Sequence, residues 1–122
     1  MKLLIVEENG AMSRLLATLL EGLAISVSQC NEGSRALEAC ANSMPDYVVI
    51  DLDLAGVDAF AVVRQMVASY PGLHILLLGA EDDTRLRGRA TEAGVWKYVL
   101  KESLVDVRHF LEAAEEGKRI ND

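Results

Sequence analysis

A doubly wound α/β domain is the fold this sequence predicts, on three observations. Short apolar runs alternate with segments of helical period, five times over along the chain. One run, Tyr47-Val48-Val49-Ile50, has three β-branched residues in a row and reads as a buried central strand. The connections are short. With strict alternation, that implies right-handed crossovers, a parallel sheet and helices on both of its faces.

The first strand is Lys2–Val6. Met12, Leu15, Leu16, Leu19, Leu20 and Leu23 then follow the i, i+3, i+4, i+7 spacing of an amphipathic helix. Ile25 and Val27 alternate with Ser26 and Ser28, which predicts a half-exposed second strand. Ser34 is placed to cap a second helix carrying Leu37, Cys40, Ala41 and Met44. Pro45-Asp46 ends that helix and opens a third strand, which runs to Ile50. Gly56 starts a loop into a third helix with Phe60, Val63, Met66, Val67 and Tyr70 on one face, and Pro71-Gly72 breaks it. Leu73–Leu78 is the fourth strand. A weakly apolar fourth helix runs from about Asp83 to Ala93 and ends at Gly94, a C-cap. Val95–Leu100 is the fifth strand, where Trp96 and Tyr98 share a face by the period of two. Ser103-Leu104-Val105-Asp106 has the form of a capping box for a fifth helix. That helix buries Leu104, Val107, Phe110, Leu111 and Ala114 and ends at Gly117.

At 122 residues the chain reads as a single domain, 1–122, with 118–122 as the start of a linker. Hydrophobic residues make up 51% and aromatics 5%, so Leu, Val, Ile and Ala must fill a sizeable core. The net charge of −7 argues against direct binding of nucleic acid or an anionic membrane by this domain and suits cation binding. Two cysteines do not make a disulfide framework. Cys40 reads as a small buried residue and Cys30 follows a strand, so a reduced, cytoplasmic protein is expected. Met1-Lys2 leads straight into the first strand, without a signal peptide. No apolar stretch approaches the ~20 residues of a membrane span.

Charge gathers at the strand ends. Asp51 ends the third apolar run, Glu7-Glu8 follow the first, Gly79 the fourth and Lys101 the fifth. Strands of a parallel sheet point one way, so these residues should meet at its carboxyl edge, near the switch in strand order. Asp53 and Glu81 lie two residues past their strand ends and border the same pocket. Crowded carboxylates raise one another's pKa unless something compensates. A divalent cation is the natural compensator, with Lys101 as a second positive charge. An all-oxygen donor set without His favours Mg2+ or Mn2+ over zinc. A carboxylate nucleophile beside such a metal is the equipment for phosphoryl transfer to aspartate.

The matching segments are Leu4-Ile5-Val6-Glu7-Glu8-Asn9, Pro45-Asp46-Tyr47-Val48-Val49-Ile50-Asp51, Ala55-Gly56-Val57-Asp58, Glu92-Ala93-Gly94 and Tyr98-Val99-Leu100-Lys101. Together they resemble the receiver domain of bacterial two-component response regulators, over the whole chain. The resemblance implies a chemotaxis-receiver-like, flavodoxin-like sheet of five strands in the order 2-1-3-4-5. It implies that Asp51 accepts a phosphoryl group from a sensor histidine kinase or phosphotransfer protein, making the chain a phosphorelay phosphoprotein rather than a dedicated enzyme. Glu7 and Glu8 would hold Mg2+ with Asp51 and the backbone carbonyl of Asp53. Lys101 would pair with the phosphoryl oxygens, and Tyr98 matches the aromatic that reorients on activation. Output would pass through the face of helix four, strand five and helix five. The stretch Leu111–Ile120 is similar to receivers that precede a helix-turn-helix DNA-binding domain. The chain reads as a receiver excised from such a protein or as a stand-alone one; a linked transcriptional output and a homodimer are the further partners weighed.

The chain also departs from that pattern. Glu8 stands where Asp is usual and is one methylene longer; Mg2+ wants near-ideal octahedral geometry, so the extra reach weakens or rearranges its site. Gly79 replaces a Thr or Ser whose hydroxyl meets the phosphoryl group, and it reads equally as a close-approach or turn glycine. Ala55 replaces Pro, Ala59 replaces Gly, and Glu102 replaces Pro. Asp53 adds negative charge beside the acceptor. These departures support a rival: a pseudo-receiver acting as a phosphorylation-independent interaction or dimerisation module. A flavin-binding domain on the same fold is a third reading, opposed by Glu7-Glu8-Asn9, which is hostile to phosphate without a metal. Arg85, Arg87 and Arg89 spread around helix four as a solvated face, and His74 and His109 have no motif partners.

Overall fold

The computed structural model describes residues 1–121, with side chains as far as Lys118. In chain order the elements are β1 (Lys2–Val6), α1 (Gly10–Leu19), β2 (Ser26–Cys30), α2 (Ala36–Ser43), β3 (Tyr47–Asp51), α3 (Ala59–Ser69), β4 (His74–Gly79), α4 (Thr84–Ala93), β5 (Lys97–Leu100) and α5 (Val105–Asn121). The sheet has the order β2-β1-β3-β4-β5, and every pairing is parallel. This is the doubly wound five-stranded fold that the alternating pattern predicts.

Successive side chains of a strand point to opposite faces. Leu4, Val6, Val48, Ile50, Ile75 and Leu77 therefore pack under α2, α3 and α4. Leu3, Ile5, Val49, Leu76, Leu78 and Val99 pack under α1 and α5. β3 is buried along its whole length, as a central strand covered on both faces must be. β2 is the half-exposed edge strand. At the amino edge, Tyr47, His74 and Trp96 form a ring cluster with centroids 5.2–5.8 Å apart, and Phe110 of α5 meets Trp96 at 6.2 Å.

Several local expectations are corrected. Leu15 is 48% exposed, because Leu16 and Leu20 occupy the seam and the leucine stripe is wider than the sheet can cover. Cys30 is the last residue of β2 rather than a residue after it. Ser34 is not a cap: it lies in a 3-10 turn, Gly33–Arg35, and Arg35 precedes α2 with no side-chain capping bond. That turn rotates the phase of α2. Its buried line is Ala36 and Cys40, while Leu37, Ala41 and Met44 face outward. β5 begins at Lys97, so Trp96 lies outside the strand's alternation. Trp96 packs on the α5 side and Tyr98 on the α4 side, so they do not share a face. Ser103 lies in a second 3-10 turn, Lys101–Ser103, and makes no capping bond among the described residues. Gly117 does not end α5, which continues through Lys118 to Asn121; Asp122 lies outside the described residues.

Candidate functional site

The sheet order reverses between β1 and β3. The chain leaves β1 for α1 on one face and β3 for α3 on the other, which opens a crevice at the carboxyl edge. Asp51, the last residue of β3, sits in that crevice and is only 5% exposed. Its Oδ1 accepts the Asp53 N–H at 2.8 Å and meets Lys101 Nζ at 2.9 Å. Lys101, in the 3-10 turn after β5, also reaches Asp53 Oδ2 at 3.2 Å. One ammonium thus bridges two acids.

Glu7 follows β1 and is 3% exposed. Its N–H donates to the Cys30 carbonyl at 3.0 Å, and its Oε1 accepts the Asn9 N–H at 3.3 Å. Its Oε2 is buried with no donor. Burial, then the hydrogen bond and negative charge of Asp51, push the Glu7 carboxyl up to about 8. Protonated, Glu7 donates to Asp51 and needs no other partner. Burial acts to raise the Asp51 carboxyl too. The bonds from Glu7, the Asp53 N–H and Lys101 outweigh it and hold Asp51 below its usual range. Lys101 is lifted above its ordinary value: burial lowers it, but the bonds to Asp51 and Asp53 prevail. At neutral pH the centre is therefore one neutral acid, one carboxylate and one ammonium.

Glu8 is not part of this cluster. Its Oε1 accepts the Ala55 N–H at 2.7 Å and its Oε2 the Gly33 N–H at 3.2 Å. Gly79 ends β4, and the space where its side chain would stand is filled by Tyr98. A Cβ there would overlap the phenol oxygen and lie 2.5 Å from Cζ. The Tyr98 hydroxyl donates to the Glu81 carbonyl at 2.9 Å. The Arg87 guanidinium lies 4.9 Å from the Tyr98 ring centroid and pairs with Asp82 at 2.6 Å. Tyr98 thus ties β5 to the β4–α4 loop and to α4. Glu81 enters through its backbone and lines a small cavity of about 140 Å³ with Leu52, Asp53, Ala80 and Leu86.

Among the described residues no group of three or more His, Cys, Asp or Glu is arranged to hold a metal ion. Two carboxyls are enough for Mg2+, which keeps several waters. Glu7 and Asp51, side by side in the crevice, fit such a hydrated cation once Glu7 gives up its proton, while both Glu8 oxygens accept backbone N–H groups. Sequence reasoning missed the Gly33 and Ala55 amides as partners of Glu8, and the seat of Tyr98 on Gly79. The extra methylene of Glu8 was the available signal for the first.

A family model described as the response regulator receiver domain matches residues 3–114. The response regulator MprA of Mycobacterium leprae is 32% identical over 116 residues, which cover 91% of this chain and 51% of that protein. The DNA-binding transcriptional regulator NtrC of Escherichia coli is 24% identical over 102 residues, covering 84% of this chain and 22% of that protein. The chain therefore spans about half or less of the length of these curated relatives. A solved CheY-like receiver domain from Methanospirillum hungatei superposes with a TM-score of 0.86 at 15% identity, covering 99% of this chain and 98% of that one.

Proposed function

The chain belongs to the response regulator receiver family, and from that premise we propose that it is a phosphoacceptor module whose acceptor is Asp51. The observation that carries this reading is the state of Asp51: buried, ionised, and held at Oδ1 by Lys101 and the Asp53 N–H. With Oδ1 held by two donors, Oδ2 is the attacking oxygen, after the Glu7 carboxyl has lost the proton it shares with Asp51. An Oδ2–P bond forms as the bond to the donor's nitrogen breaks. The attack is in line, so positioning and charge compensation carry most of the catalysis. Lys101 compensates one phosphoryl oxygen.

Glu7, Asp51 and the Asp53 carbonyl would hold Mg2+. When bound, the ion supplies further charge compensation for the phosphoryl oxygens. Its affinity is low for a receiver, because Glu8 is engaged elsewhere and Glu7 must lose a proton first. The donor is a sensor histidine kinase or phosphotransfer protein, and the module assists its own phosphorylation and dephosphorylation rather than turning over a substrate. The new charge at Asp51 would act on Asp53 and Lys101, and through the Glu81 loop on Tyr98 and Arg87, altering the α4–β5–α5 face. That face is the surface for output or homodimerisation. A covalently linked DNA-binding output domain fits the part-length match to a DNA-binding transcriptional regulator. Two free cysteines suit a reducing, cytoplasmic setting.

The test is intact mass after incubation with a small-molecule phosphodonor and Mg2+, beside Asp51→Asn. One phosphoryl group on the parent and none on the variant is the expected result. No adduct on folded parent, sampled quickly enough to catch an acyl phosphate, would overturn the reading and leave a phosphorylation-independent interaction module.

A further inference from the structure

We propose that Glu8 is a positioning residue that clasps two loops, not a metal ligand. The proposal concerns the loop beside Asp51 and so rests on Asp51 as the acceptor. Both oxygens of Glu8 are engaged, and by segments far apart in sequence: Gly33, 25 residues on, and Ala55, 47 residues on. A carboxylate between two backbone N–H donors makes charge-assisted bonds, the stronger class.

The same two segments touch independently. A Cβ on Gly33 would come within 3.1 Å of Leu54 Cβ and Cδ1 and 3.3 Å of Val57 Cγ2, so the backbone of the Gly33 turn lies directly on the Ala55 loop. Leu54 is buried and belongs to the core on the α2, α3 and α4 side of the sheet. The clasp therefore has a polar half through Glu8 and an apolar half through Gly33 and Leu54.

Its consequence for the site follows from chain order. Ala55 lies two residues after Asp53, whose N–H bonds Asp51 and whose carboxylate bonds Lys101. The loop is thus pinned at Asp53 by the acceptor and at Ala55 by Glu8. Two departures from the receiver pattern, Glu8 and Ala55, meet in one hydrogen bond. The longer acid supplies the reach, and Ala55 supplies an N–H that proline lacks.

Amide hydrogen exchange on the whole chain tests this, with and without Mg2+ and in Glu8→Ala and Glu8→Gln. Glu8→Ala should speed exchange at Gly33 and Ala55 by about tenfold or more, as loss of a charge-assisted bond does. Val49 in the sheet should not change, which shows the variant is folded. Glu8→Gln keeps one acceptor oxygen and should fall between, and it carries the test alone if the alanine variant does not fold. Mg2+ on the parent should leave both amides protected. Unchanged exchange in the variants, or release of both amides by Mg2+, would overturn the clasp. Phosphoryl uptake should slow in Glu8→Ala and recover in part in Glu8→Gln. A parent that takes no phosphoryl group would refute the Asp51 reading instead, and the exchange data would still decide the clasp.

Discussion

The strands of one sheet end very differently at its two edges. At the amino edge, β3, β4 and β5 begin beside Tyr47, His74 and Trp96, whose rings pack on one another and on Phe110. At the carboxyl edge β3 ends in Asp51 and β4 in Gly79, with Lys101 just beyond β5 and Glu7 just beyond β1. Between the edges, the core from Val48 to Ile50 and from Ile75 to Leu78 is fully buried. Ring packing rests on buried apolar area and on tilted and edge contacts between rings, and it involves no buried carboxyl. The carboxyl edge instead holds a neutral Glu7 against an ionised Asp51, an arrangement that depends on pH and on Lys101. A buried middle lets one edge contribute stability while the other carries chemistry.

The largest expected effect separates the edges by rate. Lys101→Ala removes the cation on Asp51 Oδ1, and phosphoryl uptake should slow by roughly 10²-fold, as when one charge-stabilising donor is deleted. The time course of the phosphorylated mass measures it. Trp96→Ala should do the reverse. It should cost about 3 kcal/mol in urea unfolding, from lost ring packing, and leave uptake unchanged in folded protein. A comparable slowing in Trp96→Ala would show that the edges are coupled and that the division fails.

A smaller effect tests how tightly the carboxyl edge is filled. Gly79→Thr puts a Cβ where Tyr98 sits, so the ring must leave and its bond to the Glu81 carbonyl and contact with Arg87 are lost. The expected cost is about 2 kcal/mol, the usual size for overpacking. In a Tyr98→Ala background the same threonine should cost much less. Equal costs in both backgrounds would mean that the two positions do not share one space.

The fold was legible because its signals are redundant. Five apolar runs, their helical intervals and Gly94 with φ +99° at the end of α4 all point one way. The gathering of Glu7, Asp51 and Lys101 was legible for the same reason, since a parallel sheet fixes where strand ends go. What escaped depended on phase or on contacts distant in sequence. The 3-10 turn at Gly33–Arg35 turned the Leu37 face of α2 outward, and no periodicity announces such a turn. The direction of Glu8 depends on amides 25 and 47 residues away. Gly79 could be read as a turn glycine until Tyr98 was seen in its place, because only the packed sheet brings β4 and β5 together there.

The gentlest probe of the comparison is pH. The Glu7 carboxyl is raised on folding from 4.5 to about 8, chiefly by burial. Below pH 4.5 both folded and unfolded chains hold that proton, and its contribution to stability is fully present. Between 4.5 and about 8 the unfolded chain has released a proton that the folded chain keeps, so stability should fall as pH rises. Asp51 has the opposite sign. Its folded value lies below 3.8, so its contribution is present above that pH and is lost in acid. The two titrate as a pair, and one proton limits the slope to about 1.4 kcal/mol per pH unit. The urea midpoint should therefore be higher near about pH 6 than near about pH 8.5. Glu7→Gln should flatten that difference, and Trp96→Ala should lower both midpoints while leaving the difference intact. A slope that survives in Glu7→Gln would place its source away from the carboxyl edge and dissolve the contrast between the two ends of the sheet.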